Sequence, residues 1–137
     1  MRLIFNLLLV LAVTLTVGAT ASAQRQSPSL SSSLCAGAVS WQTAKTVVGR
    51  YATVKGRVAG SKFASASNGS PTFLNLGVDY PSAKRFTVVI WMKNRDKFGV
   101  PEARYKGHTI CVHGYVDSYR GVPEIEATDP SQIFVSR

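Results

Sequence analysis

YRGVPEIEATDPSQI, residues 119–133, combines a tight turn with the beginning of a β-strand. The residues around Gly121 predict a hairpin turn. Pro123 follows at the first positions of the strand, where a missing N–H costs little. Beyond it the side chains alternate, apolar ones toward a core and carboxylates toward solvent: Ile125 and Ala127 inward, Glu124 and Glu126 outward. The stretch therefore predicts a hairpin that closes a small β-structure, and Tyr119 and Arg120 at its tip are candidates for the lip of a binding groove.

Four more strands are predicted before this hairpin, because apolar and polar residues alternate there with a period of two. They cover residues 51–63, 72–77, 85–92 and 108–119. Residues 93–107 break the alternation, and NRDKF within them is expected to form one helical turn. Five strands with a long excursion after the third match the OB-fold, a five-stranded Greek-key barrel, so the predicted class is all-β with minor α. An SH3-like barrel is the alternative, but it would not usually carry such a segment there.

A short helix is predicted ahead of the first strand. Ser40 is a suitable N-cap and Gly49 a suitable stop. The apolar residues between them recur along one face: Trp41, Ala44, Val47 and Val48. Because the helix is short, packing on the barrel must hold it in place. Trp41 is therefore expected to be a core anchor rather than a platform for a ligand.

The first 23 residues predict a signal peptide. Arg2 precedes an apolar run of about 15 residues, and Ala21 and Ala23 flank a small-residue cleavage site. An uncleaved anchor is the alternative, but the run is shorter than the ~20 residues that cross a bilayer. The Ser-rich residues 24–36 predict a linker, and residues 37–137 the barrel domain. We thus expect an exported protein, either periplasmic or secreted.

The chain has two cysteines, Cys35 and Cys111, and both belong to the part expected outside the cytoplasm. An isolated pair in an exported protein predicts a disulfide. Ile110 and Val112 should face the core, so Cys111 should face outward and the bond should strap the N-terminal segment across the fourth strand. Two buried free thiols are the alternative. With both cysteines in the expected disulfide, no further cysteine is present and the two histidines are too few ligands for a structural zinc site.

Positive charge dominates the predicted mature chain. Without Arg2, 15 Lys and Arg oppose 7 Asp and Glu, which gives a net charge of +8. Such a surface favours polyanions: nucleic acid, anionic lipid headgroups or acidic wall polymers. A basic surface that serves only solubility is the alternative, because charge does not choose among these partners.

Three segments of the chain resemble a known family: VGRYATVKGRV, TFLNLGVDYPSAKRFTVVIW and YKGHTICVHGYVDSYRGVPEIEATDPSQI. In order and spacing they are similar to the OB-fold nucleic-acid-binding domains of exported bacterial proteins, small barrels found alone or fused to secreted nucleases. The resemblance covers about residues 38–134, and YRGVPEI followed by PSQI is its most specific element. It implies a barrel that binds nucleic acid or nucleotides and implies no catalysis. The two cysteines are not part of the family pattern.

The residues themselves predict the same binding face. If Leu74 and Leu76 point into the barrel, Phe73 and Asn75 point out, and Trp91 emerges on the same side of the next strand. Aromatic rings that stack bases, with cations that follow phosphates, are typical of single-strand binding. Asn75 is expected to hydrogen-bond a base edge. The cations and the loop residues assigned to this site are Lys55, Arg57, Lys62, Lys84, Arg85, Lys93, Tyr119 and Arg120. Cover by the N-terminal helix or by NRDKF is the alternative for the two rings, and Glu124 and Glu126 count against a strongly basic face.

No arrangement of residues predicts an enzyme, a metal site or a cofactor. The aspartates are scattered singly over turns, and neither histidine has an obvious catalytic partner. We therefore expect a non-catalytic module that binds single-stranded nucleic acid or nucleotides with low sequence specificity. An envelope protein that binds wall glycans or small anionic ligands is the first alternative, and a purely structural domain is the second.

Overall fold

The protein is mostly β in a computed structural model that describes residues 33–136. The predicted signal peptide and most of the predicted linker therefore lie outside the described residues. Within them, seven strands form one mixed sheet: β1 Val39–Ser40, β2 Tyr51–Phe63, β3 Thr72–Leu76, β4 Phe86–Ile90, β5 Thr109–Tyr119, β6 Val122–Glu126 and β7 Ile133–Ser136. The helical elements are short: the 3-10 helices Trp41–Val47 and Pro130–Gln132, and the α-helices α1 Met92–Phe98 and α2 Pro101–Tyr105.

All five predicted strands are present, but the predicted count of five is wrong. The short β1 adds parallel to β2, and β7 adds antiparallel to β5. Both are four residues or fewer, too short to show a clear alternation in the sequence. Among the other five, β2 pairs with β3, β3 with β4, β4 with β6, β6 with β5 and β5 again with β2. This ring of pairings gives the sheet a barrel-like course.

The inward face of each strand supplies the core, as the alternation predicts. Leu74, Ile110, Val112 and Ile125 are fully buried, and the fully buried Ala127 follows β6. Burying one such side chain contributes roughly 1.5–3 kcal/mol for the larger residues. The predicted inward positions of both halves of the sheet are confirmed.

Strand β2 takes part in both halves of the sheet because it bends in the middle. Its first half pairs with β5, and its second half pairs with β3 after a register shift between Val58 and Gly60. Glycine is required at the bend, since a Cβ on Gly60 would overlap the carboxyl group of Asp79. Gly56, a glycine in the first half of β2 that would also suit a bend, instead makes room for the ring of Trp41, 2.9 Å from where a Cβ would be.

The N-terminal helix is present as a 3-10 helix, Trp41–Val47, and Ser40 caps it by accepting a hydrogen bond from the Gln42 N–H. Trp41 packs against the core cluster from this helix. The prediction that Trp41 anchors the barrel is confirmed. The excursion before β5 is also helical, and it contains two short α-helices rather than one turn.

Arg95 of α1 links the two α-helices to the sheet. Its guanidinium binds both carboxylate oxygens of Glu102 at 2.7 Å, donates to the Thr72 hydroxyl at 2.6 Å and covers the ring of Phe63. A bidentate pair of this kind fixes geometry as well as contributing energy. Arg95 is thus a structural cation and is not free to bind a ligand.

Candidate nucleic-acid interface

The residues assigned to the binding site from the sequence fall on three separate surfaces. We call the first the Trp91 surface, and it consists of Lys62, Phe73, Trp91 and Lys93. The second is the loop edge, and it consists of Lys84, Arg85, Tyr119 and Arg120 together with Tyr80, which the sequence did not assign to the site. The remaining two cations, Lys55 and Arg57, lie elsewhere, on the first half of β2.

The Trp91 surface brings two aromatic rings and two exposed lysines together. Lys62 and Val89 flank Phe73 in register on the neighbouring strands. Trp91 is two residues beyond Val89, so it is the diagonal neighbour of Phe73, a position within reach of aromatic side chains. Both rings are half-buried, whereas Lys62 and Lys93 are exposed.

A groove of about 580 Å³ adjoins this surface at Trp91 and Lys93. Its lining residues come from the β2–β3 loop, Trp91 between β4 and α1, the start of α1 and the end of β6: Gly69, Ser70, Trp91, Met92, Lys93 and Glu126. The loop backbone lies directly on the indole, because a Cβ on Gly69 would be 3.0 Å from the Trp91 ring. One edge of the ring is thus held in place. Such a fixed ring beside lysines is suited to stacking a planar group next to an anion.

Asn75 is not placed as the sequence predicts. It points away from the core, but it is only 4% exposed. Its amide donates to Asp79 at 2.7 Å, and its carbonyl oxygen accepts from the Thr87 hydroxyl at 3.2 Å. The turn after β3 folds over this side chain, which the strand alternation alone cannot reveal. Asn75 therefore organises the turn and does not present its amide to a ligand.

Two tyrosine–arginine pairs occupy the loop edge. The Arg120 guanidinium is 5.3 Å from the centre of the Tyr119 ring, and Arg85 lies at the same distance from Tyr80. Arg120 adopts a positive φ of 50°, which lets the tight turn close before Gly121. Tyr80 and Tyr119 are 72% and 59% exposed. Thr87 of β4 pairs with Glu124 of β6 in a parallel arrangement. The β3–β4 loop and the β5–β6 turn therefore lie at the same end of these strands.

Lys55 and Arg57 lie on neither surface. The prediction that they share a binding site with Phe73 and Trp91 is therefore corrected. Lys55 pairs with Ser40 of β1 and Cys111 of β5, and Arg57 pairs with Thr109. The cause is the bend of β2, which carries its first half away from β3. Their side chains lie beside the disulfide, on the other half of the sheet.

An acidic strip separates the Trp91 surface from the loop edge and from the first half of β5. We use this name for Asp117, Glu124 and Glu126. Asp117 and Glu124 are direct cross-strand partners, and Glu126 is the partner of Val89. A second groove, of about 350 Å³, runs along the strip: its lining residues are Tyr51, Gly114, Tyr115, Asp117, Glu124, Glu126, Thr128 and Gln132. The sequence predicts the outward positions of Glu124 and Glu126, but it places Asp117 in a turn rather than in β5 and does not show that the three come together.

Burial raises the pKa of the Glu124 carboxyl, and the nearby carboxylates of Asp117 and Glu126 raise it further, while Arg85 opposes them. A carboxyl whose pKa is raised in the folded state stabilises that state below its unfolded pKa, and this stability is lost as the pH rises through the folded pKa. Glu124→Gln is therefore expected to increase the free energy of unfolding at pH 7 by about 0.5 kcal/mol. Urea unfolding at pH 7 and pH 4 should show the gain shrinking at the lower pH.

Glu102→Gln is the matched control with the opposite sign. The Arg95 guanidinium lowers the pKa of the Glu102 carboxyl, so this pair stabilises the fold above the unfolded pKa and less as the pH falls. Glu102→Gln should destabilise at pH 7 and have less effect at pH 4. The same pH trend for both variants would contradict the assignment of Glu124.

The predicted disulfide is present between Cys35 and Cys111, whose Cα atoms are 5.5 Å apart. Cys111 is on the outward side of β5 and is nevertheless fully buried, since Cys35 and its segment cover it. The bond is consistent with an oxidising compartment. It lies on the other half of the sheet from the Trp91 surface.

No group of three or more His, Cys, Asp or Glu between residues 33 and 136 is arranged to hold a metal ion. In the same range, no helix has the length and apolar character that a membrane crossing needs.

No family model matches the chain, and neither does any curated protein. Solved structures show a partial likeness. An OBody bound to hen egg-white lysozyme has a TM-score of 0.46 and 18% identity over 67% of this chain and 84% of its own. The S. pombe Stn1-Ten1 complex has a TM-score of 0.47 and 20% identity, and the match covers 64% of this chain and 59% of its own. An aspartyl tRNA synthetase from Entamoeba histolytica has a TM-score of 0.45 and 12% identity, and the match covers 72% of this chain but only 21% of its own. At these values the likenesses do not assign a function, and membership of the exported bacterial family stays a prediction.

Proposed function

We propose that this protein is an exported, non-catalytic OB-fold module that binds single-stranded nucleic acid or nucleotides with low sequence specificity. The order of strand pairings, with β6 between β4 and β5, supports the Greek-key barrel. The disulfide supports an oxidising compartment, and the predicted signal peptide supplies the route. The site we propose is the Trp91 surface.

One observation carries this proposal: Phe73 and Trp91 are half-buried diagonal neighbours with an exposed lysine on either side. Bases stack on such rings whatever their identity, because every base has a π-face. Lys62 and Lys93 are placed to contact the phosphate on each side of a stacked base. The residues on this surface provide no fixed base-edge contact now that Asn75 is committed to the turn, so low sequence specificity is expected.

Binding should weaken when either aromatic ring of the Trp91 surface is removed. Phe73→Ala and Trp91→Ala are each expected to weaken binding of a labelled single-stranded oligonucleotide about 5- to 100-fold, the equivalent of one lost stack. Fluorescence anisotropy at low and at physiological salt measures this for DNA and for RNA.

Tyr51→Ala is the matched control, because Tyr51 is an aromatic residue outside the Trp91 surface and is 74% exposed. It should bind as the unmodified protein does. No binding of either nucleic acid at low salt, where phosphate contacts are strongest, would refute the proposed function. Equal losses for all three variants would place the site elsewhere.

The second candidate function is binding of a wall glycan, and the groove beside the acidic strip favours it. Tyr51 and Tyr115 meet edge to face with ring centres 5.5 Å apart, and carboxylates lie along the same groove. Tyrosine faces pack on sugar rings, and carboxylates accept hydrogen bonds from hydroxyl groups; OB-folds do bind oligosaccharides. The carboxylates disfavour the small anionic ligands that the sequence left open.

Peptidoglycan fragments in the same titration distinguish the two functions. If the groove beside the acidic strip is the functional site, Tyr51→Ala and Tyr115→Ala should lose binding of the peptidoglycan fragments, while Trp91→Ala should keep it. The reverse pattern with oligonucleotides supports the Trp91 surface.

A further inference from the structure

Charge changes sign across the outer face of the sheet. One row of cross-strand neighbours runs from Lys62 through Phe73 and Val89 to Glu126. The next row contains Thr87, then Glu124 and Asp117. Neighbouring strands lie about 4.8 Å apart, so the first carboxylate is roughly 10 Å from Phe73. The basic side of the Trp91 surface is therefore the side toward β2.

The carboxylates of Glu124 and Glu126 are not neutralised by the protein. Within residues 33–136, neither makes a salt bridge or a hydrogen bond. Arg85 acts on Glu124 electrostatically, but its guanidinium donates to the Ser82 carbonyl oxygen at 2.7 Å and packs on Tyr80. No salt bridge between described residues therefore offsets these carboxylates between the Trp91 surface and the loop edge.

We propose that the ligand of the Trp91 surface is short, one or two nucleotides or the end of a strand, rather than a tract that crosses the sheet to Tyr119 and Arg120. This inference rests on the proposed function. A strand that took the longer path would carry one phosphate per nucleotide over the acidic strip. At physiological ionic strength charges interact over about 8 Å, so those phosphates would be repelled at close range.

The same geometry assigns a role to each part of the short site. Phe73 and Trp91 accept one or two stacked bases, and Lys62 and Lys93 contact the phosphates. Glu126 lines the same groove as Trp91 and limits it on the β6 side. The tyrosine–arginine pairs of the loop edge belong to no continuous path with these residues.

A length series tests the inference. Thymidine monophosphate and oligothymidylates of 2, 4, 8 and 12 nucleotides compete with a labelled tetranucleotide for the full protein. The affinity divided by the number of positions at which an oligonucleotide can occupy the site should reach a plateau by two nucleotides. For the 12-mer, the decrease of log affinity with log salt concentration should correspond to about two phosphate contacts. A further tenfold rise between two and eight nucleotides would overturn the inference while leaving the proposed function intact. Absence of binding at every length would instead overturn the proposed function.

Removal of the strip supplies a second measurement. The double variant Asp117→Asn/Glu124→Gln, which leaves Glu126 of the groove unchanged, should bind the 12-mer at least about threefold more tightly and leave the dinucleotide nearly unchanged. Asp96→Asn, which removes an exposed carboxylate from α1, is the matched control and should affect both lengths equally. Equal gains for both lengths in the double variant would contradict a barrier to longer ligands.

Discussion

Gly77→Ala should lower the free energy of unfolding by about 3 kcal/mol or more. Gly77 has a φ of +82°, a conformation that side chains with a Cβ adopt at a cost of about 1 kcal/mol. In addition, a Cβ there would fall within the ring of Trp41, so the indole has to move out of its place between Gly56 and Gly77. Because Trp41 packs against the core, the displacement disrupts packing well beyond the turn. Urea unfolding followed by circular dichroism measures the loss.

Gly121→Ala separates the two causes. Gly121 has a similar φ of +78°, but no atom lies within 4 Å of where its Cβ would be. It should therefore show only the backbone cost, about 1 kcal/mol. A loss at Gly77 no larger than the loss at Gly121 would mean that the indole is not locked against the turn.

Removal of the disulfide should have the largest effect on stability. The bond joins residues 76 positions apart, and in the chain-entropy model a loop of this length contributes about 4 kcal/mol. Cys35→Ala/Cys111→Ala should lose about that amount, since alanine leaves no buried thiol without a partner. Chemical denaturation in the presence and absence of a reductant measures it.

Reduction of the unmodified protein is the internal control for this variant. It should produce the same loss, and reductant should have no effect on the double variant. A loss below about 1 kcal/mol would show that the unfolded chain is not restrained by the bond. Oligonucleotide affinity should be unchanged wherever the variant remains folded, because the bond lies on the other half of the sheet from the Trp91 surface.

Much of the fold follows from the alternation of apolar residues in the sequence. The predicted range of β2, residues 51–63, matches the observed strand, and the closing hairpin after Gly121 lies where its residues predict. What the alternation misses is β1 and β7, which exist because the edges of β2 and β5 offer free backbone groups. Pairing of this kind depends on where the chain returns in space, and two to four residues carry too little pattern to show it.

The candidate site was less accessible to prediction, for three physical reasons. The bend at Gly60 decides which cations share a surface, and it separates Lys55 from Phe73. The turn that covers Asn75 depends on a contact with Asp79 across a loop. The acidic strip needs the register between β5 and β6, which places Asp117 beside Glu124. Phe73 and Trp91, in contrast, required only the strand period and the neighbouring order of β3 and β4.

The acidic strip also has a kinetic consequence. The net charge of +8 expected for the mature chain attracts a polyanion from any direction, so encounters should be frequent at low salt. The strip does not cancel that attraction at long range, but it penalises orientations that bring a phosphate over β6. Diffusional encounter is thereby biased toward approach from the β2 side, where Lys62 is exposed. Under the proposed function, rapid association is therefore compatible with easy release, because much of the charge that attracts the ligand does not contact it.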